Sequence, residues 1–131
     1  MPKILIVDDD FAITELMKML AIMGGHLPTT VNDSLRALEV ASDVNPDLIT
    51  LDLMMPGLTG FELCEMMHND PKFTNIPIII ISARDDPESK AQAFRAGARE
   101  YLTKPFESQE FIEKIKLLTE NTSSEAVDVK E

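Results

Sequence analysis

Short apolar runs rich in Ile, Leu and Val recur along the chain, separated by stretches of helical length whose apolar residues follow a 3.6-residue period. Lys3 to Val7 (KILIV), Leu48 to Leu53 (LITLDL) and Ile76 to Ser82 (IPIIIIS) are the strongest runs. Their hydrophobicity is continuous and not alternating, which predicts strands covered on both faces, as in a parallel sheet. Leu27 to Val31 and Glu100 to Thr103 read as weaker strands.

Between the runs lie helix patterns. Ile13, Leu16, Met17, Leu20 and Met23 keep the helical period, and Gly24-Gly25 stops that helix. Ser34 is placed to cap a helix carrying Leu35, Leu38 and Ala41, closed by Asn45-Pro46. Gly60 to His68 carries Phe61, Leu63, Cys64 and Met67, and Pro87 to Ala96 starts with Pro in a first-turn position. Ser108 to Thr119 carries Phe111, Ile112, Ile115 and Leu118, after which residues 121–131 are polar and aperiodic. The expectation is one domain over residues 1–120 and a disordered tail over 121–131. Five strand–helix units in strict alternation predict an α/β fold, a doubly wound parallel sheet with helices on both faces.

Composition narrows the setting. The single cysteine, Cys64, excludes an intramolecular disulfide and fits a reducing compartment. The N-terminal apolar run, Ile4 to Val7, is too short for a leader, and no stretch reaches the roughly 20 apolar residues that span a bilayer. A cytoplasmic protein with no membrane contact is expected. Net charge is −11 with no basic stripe, so direct binding of nucleic acid by these residues is not expected.

Charge also gathers where an open α/β sheet places its ligands, beyond the carboxyl ends of the strands. Asp8 and Asp9 follow the first strand, Asp52 the third, Ser82 ends the fourth and Lys104 the fifth. Carboxylates about 5 Å apart repel by roughly 3 kcal/mol at an effective dielectric near 20. Lys104 offsets part of that, and a hard divalent cation with oxygen ligands, Mg²⁺ (or Mn²⁺), would offset more. A nucleophilic carboxylate, a metal and groups that stabilise equatorial oxygens are the parts of phosphoryl transfer, and Asp52 is the candidate nucleophile.

In order and at strand ends, IVDD (Ile6 to Asp9), LDLMMPGLTG (Leu51 to Gly60), IIIISA (Ile78 to Ala83) and YLTKPF (Tyr101 to Phe106) resemble the receiver domain of two-component response regulators, the single-domain chemotaxis type included. The likeness covers about residues 3 to 120. It implies a flavodoxin-like five-stranded sheet in the order 2-1-3-4-5 with five helices, and a cis Lys104-Pro105 bond. It implies that Asp52 is the phosphoacceptor and that Asp8, Asp9, Asp52 and the backbone carbonyl of Met54 surround Mg²⁺. Lys104 would pair with the phosphoryl group, Ser82 would hydrogen-bond it, and Tyr101 would be an aromatic switch. The donor would be a sensor histidine kinase or a histidine phosphotransfer protein. The responding face would be the fourth helix, fifth strand and fifth helix, turned toward a downstream protein or effector domain. Lys90 with Glu110, and Glu100 with Lys114, partly match the charged homodimer face of winged-helix regulators, while Arg99 and Asn121 depart from it.

Simpler roles compete at several positions. Asp10 reads as a helix cap, Met17, Met19 and Met23 as helix packing, Cys64 as a small core residue, and His26 and His68 as solvent-facing. An interaction module that is never phosphorylated is the first alternative, ranked low because no acidic or Lys position is missing. A Mg²⁺ phosphohydrolase ranks lower, since Met54 stands where a second acid is usual. The chain also reads as the N-terminal receiver of a longer DNA-binding regulator. Phosphorylation and dephosphorylation of itself, and not turnover of a substrate, is the expected chemistry.

Overall fold

A computed structural model describes the backbone of residues 1–128 and the side chains of residues 1–120. Five strands, β1 (Lys3–Val7), β2 (Leu27–Val31), β3 (Leu48–Leu51), β4 (Ile78–Ser82) and β5 (Glu100–Thr103), alternate with α1 (Phe11–Met23), α2 (Ala37–Val44), α3 (Gly60–Asn69), α4 (Pro87–Arg95) and α5 (Ser108–Asp128). All pairings are parallel and the order is β2-β1-β3-β4-β5. This is the flavodoxin-like arrangement that the resemblance implies, and the Lys104-Pro105 peptide is cis, as it also implies.

The continuous hydrophobicity of the strands has a direct cause. Leu5, Val7, Ile49, Leu51, Ile78 and Ile80 face one core, with Ala37, Ala41, Leu63, Cys64 and Met67 from α2 and α3. Ile4, Ile6, Leu48, Ile79 and Ile81 face the other, with Met17, Leu20, Phe111 and Ile115 from α1 and α5. Successive residues point to opposite faces, so strands covered on both faces are apolar at almost every position, the buried Thr50 of β3 and Ser82 of β4 excepted. Fully burying one such side chain stabilises the fold by about 1.5–3 kcal/mol.

Several expectations change. β3 stops at Leu51 and β4 begins at Ile78, because Leu53 and Ile76 belong to the flanking loops. α1 buries Thr14, Met17, Leu20 and Ala21, while Leu16, Met19 and Met23 stay exposed, so only one of the three methionines is packing. The buried side of the helix sets the small Thr14 and Ala21 beside Met17 and Leu20. Ser34 is not a cap. Asp33 caps a short 3-10 turn, Ser34–Arg36, and Ser34 itself is buried against the loop after β3. His26 is buried and not solvent-facing, its Nε2 3.1 Å from Thr119 Oγ1 of α5, whereas His68 is exposed. α5 runs to Asp128, beyond the stretch that its apolar period marks; the remaining residues of the expected tail, 129–131, lie outside the described residues. A polar helical extension carries no apolar period to betray it.

Candidate functional site

The pocket is built by extending the strand ladder one step. Asp8 N–H donates to Val31 O (3.1 Å), Asp52 N–H to Val7 O (3.1 Å) and Lys104 N–H to Ser82 O (2.8 Å). Backbone bonds thus hold the residue after β1, β3 and β5 at one edge, and β4 contributes its last residue, Ser82. Asp10 caps α1 through Ile13 N–H, and Asp10 N–H donates to Asp8 Oδ1 at 2.9 Å. The turn that leads into α1 therefore fixes the Asp8 carboxylate as well.

Asp8, Asp9 and Asp52 each bring a carboxylate oxygen within 4.8 Å of the others. Asp8 and Asp52 are buried, while Asp9 lies open to solvent. Lys104 Nζ lies 2.6 Å from Asp8 Oδ2 and 3.2 Å from Asp52 Oδ2, although Asp8 is 96 residues away in sequence. Burial works against the Lys104 charge, but its hydrogen bond to Asp8 and the charges of Asp8 and Asp52 outweigh it and raise its pKa. The ammonium is held charged. Burial raises the pKa of Asp8, opposed by Lys104 and by Asp10 N–H. One ammonium against three carboxylates leaves the cluster under-neutralised, and an oxygen-liganded divalent cation fits that donor set.

Ser82 is fully buried, and its Oγ accepts from Arg84 N–H at 3.2 Å. Tyr101 packs partly against the α2–α3 core, donates its hydroxyl to Arg84 O, and has Lys90 Nζ 5.7 Å above its ring. Met54 is 57% exposed at the mouth, with Arg84 Nη1 4.0 Å from its Sδ. Met54 N–H donates to Asp52 Oδ1 at 3.2 Å, orienting that carboxylate. On the other edge Lys114 Nζ pairs with Glu100 Oε1 at 3.0 Å within the chain.

Three supporting residues escaped the sequence reading. Asn32 Nδ2 donates to Asp8 O and to Thr14 Oγ1, both at 2.9 Å. Ser34 Oγ donates to Pro56 O (2.8 Å) and accepts from Leu58 N–H (3.0 Å), pinning the loop that carries Met54. A Cβ at Gly60 would stand 2.1 Å from Asp52 O, so α3 reaches the back of the Asp52 loop only because this residue has no side chain. The only sequence signal was the position of Gly60 at the end of LDLMMPGLTG.

A doubly wound sheet with carboxylates, an ammonium and a hydroxyl at its carboxyl edge is the architecture of a phosphoacceptor switch. Residues 4–116 match the family model described as response regulator receiver domain, and the chain belongs to that family. It is 37% identical over 122 residues to the DNA-binding dual master transcriptional regulator RpaA of Synechocystis, covering 93% of this chain and 51% of that protein. The phosphate regulon transcriptional regulatory protein PhoB of Pseudomonas aeruginosa is 36% identical, with 91% and 52% covered. The chain thus spans about half the length of these curated relatives. Among solved structures, the Francisella response regulator 1452 receiver domain superposes with a TM-score of 0.86 at 35% identity, covering 93% of this chain and 99% of that one. Vibrio cholerae chemotaxis protein CheY4 superposes with 0.85 at 28% identity, covering 90% and 98%. The chain is a receiver domain of two-component signal transduction. Among the described residues no helix is long and apolar enough to cross a membrane.

Proposed function

We propose that Asp52 accepts a phosphoryl group from a phosphohistidine donor, a sensor histidine kinase or a histidine phosphotransfer protein, and that the fold carries this charge to the face of α4, β5 and α5. The observation that carries the reading is the Lys104 ammonium seated between the Asp8 and Asp52 carboxylates. An Asp52 oxygen forms the new P–O bond as the donor's P–N bond breaks, and the departing imidazole nitrogen takes a proton. Lys104 neutralises charge on the phosphoryl oxygens, and the buried Ser82 hydroxyl donates to one of them. Asp8, Asp9, Asp52 and the Met54 carbonyl would hold Mg²⁺ (or Mn²⁺), which supplies charge neutralisation and alignment of phosphoryl oxygens. Hydrolysis of the acyl phosphate resets the domain, so the chain modifies itself and turns over no separate substrate.

Tyr101 couples the two ends. Its hydroxyl is tied to the Arg84 carbonyl, two residues beyond Ser82, so drawing Ser82 toward a phosphoryl oxygen shifts the anchor of the ring. The output follows in the cytoplasm through a protein contact of this face, an attached effector domain, or a homodimer of the α4-β5-α5 type. RpaA and PhoB are transcriptional regulators by name, which favours the effector domain.

Incubation with Mg²⁺ and acetyl phosphate tests the reading by intact mass. Wild type should gain one phosphoryl group, and Asp52→Asn and Lys104→Ala should gain little or none. Wild type that stays unmodified even with a phosphohistidine donor would return the chain to the class of non-phosphorylated interaction modules.

A further inference from the structure

Tyr101 is held at both ends by one segment of the chain. Its hydroxyl donates to the Arg84 carbonyl in the loop after β4, and Lys90 Nζ stands 5.7 Å from the centre of its ring. Both partners are fixed in turn. Arg84 N–H donates to Ser82 Oγ at 3.2 Å, and Arg84 Nε lies 3.6 Å from Asp86 Oδ1. Asp86 caps α4, accepting from Ser89 N–H and from Ser89 Oγ, both at 2.9 Å. Lys90 stands one helical turn beyond that cap, its N–H donating to Asp86 O, so the start of α4 sets the cation over the ring.

The charge of Lys90 is not spent elsewhere. Lys104, Lys114 and Lys116 each lie on a carboxylate, whereas Lys90 makes no ion pair among the described residues. Lys90 and Tyr101 are both partly buried. An ammonium partly withdrawn from water and without a carboxylate is attracted to the negative face of an aromatic ring.

We propose that Lys90 is a positioning residue for Tyr101: its ammonium holds the ring where it lies and opposes the ring's displacement. For the response to phosphorylation this rests on the reading of Tyr101 as the coupling residue. A contact made in only one of two ring positions favours that position by its own free energy. A cation over a ring at a partly exposed site shifts such a balance about two- to fivefold. A ring that leaves the Arg84 carbonyl must also leave Lys90, so this contact sets a threshold for the switch. Removing the charge frees the ring and raises phosphoryl uptake by about the same two- to fivefold factor.

Lys90→Met keeps the aliphatic stem and the helix propensity and removes the charge, while Lys90→Arg keeps a cation. Tyr101 is the only tyrosine, so its resonances are unambiguous. Without any phosphodonor, the side-chain protons of Lys90 should show an upfield ring-current shift that Tyr101→Leu abolishes. The main χ1 rotamer of Tyr101, read from scalar couplings, should lose population in Lys90→Met and keep it in Lys90→Arg. With Mg²⁺ and acetyl phosphate, Lys90→Met should take up the phosphoryl group about two to five times faster than wild type. Lys90→Arg should match wild type, and the gain should vanish in a Tyr101→Leu background. No ring-current shift, a rotamer balance indifferent to Lys90→Met, or a gain that persists without the ring would overturn the proposal. So would slower uptake by Lys90→Met, which would assign the charge to attracting the acetyl phosphate anion. If no variant takes up phosphate while the rotamer balance shifts as expected, the hold of Lys90 on the ring stands and the Asp52 reading fails.

Discussion

At the mouth of the pocket, the thioether of Met54 and the guanidinium of Arg84 lie together over the Asp52 carboxylate's loop. An apolar side chain there excludes the water that would attack an acyl phosphate and offers it no hydrogen bond. Met54→Asn should shorten the phosphoryl half-life several-fold, read by the decay of the phosphorylated mass, and an unchanged half-life would remove Met54 from the account. His26 gives a second prediction of this size. Burial holds its pKa below the ordinary 6.5, so the folded chain keeps it neutral while the unfolded chain protonates near that value. Below about pH 6.5 the unfolded state binds more protons, and stability falls as pH falls through the window between the two pKa values. The thermal midpoint should drop between about pH 7.5 and 5.5, and His26→Asn should flatten that slope. Cys64 should resist alkylation in the native state, since burial pushes its thiol up to about 12.

At the scale of elements, strand identity was legible because strands covered on both faces are apolar at almost every position, and IPIIIIS is such a run. Asp8, Asp9, Asp52, Ser82 and Lys104 were legible as a group because each follows or ends a strand at the same edge. Which face of α1 enters the core was not legible. Large apolar residues stand on both sides of that helix, and the side that packs on the sheet carries the small Thr14 and Ala21, which give no apolar signal of their own, beside Met17 and Leu20. The roles of Ser34 and His26 were hidden for a related reason: each is set by a partner more than 20 residues away in sequence, Ser34 by Pro56 and Leu58, His26 by Thr119. Gly60 belongs to the same group, since only the assembled α3 shows that a Cβ would strike the carbonyl of Asp52. Gly60→Ala should force α3 or the Asp52 loop to shift, costing about 1–3 kcal/mol in denaturant unfolding. Phosphorylation by acetyl phosphate should slow with it, because the displaced loop carries the nucleophile.

For the molecule as a whole, two cores clamp a parallel sheet whose carboxyl edge carries an under-neutralised acidic cluster, and hydrogen bonds through Arg84 link Ser82 at that edge to Tyr101 of β5. The relatives extend for about twice the length of this chain, and in them a receiver is joined to further sequence. What the account requires first is a phosphoryl group on one named carboxylate. Borohydride reduction of the phosphorylated chain converts an aspartyl phosphate to homoserine, and peptide mass mapping then locates it. Homoserine at position 52 alone, formed only when Mg²⁺ accompanies the phosphodonor, is the predicted result. Homoserine at Asp8 or Asp9, or a phosphoryl group that survives in Asp52→Asn, would contradict the assignment of the nucleophile and with it the mechanism built on Lys104.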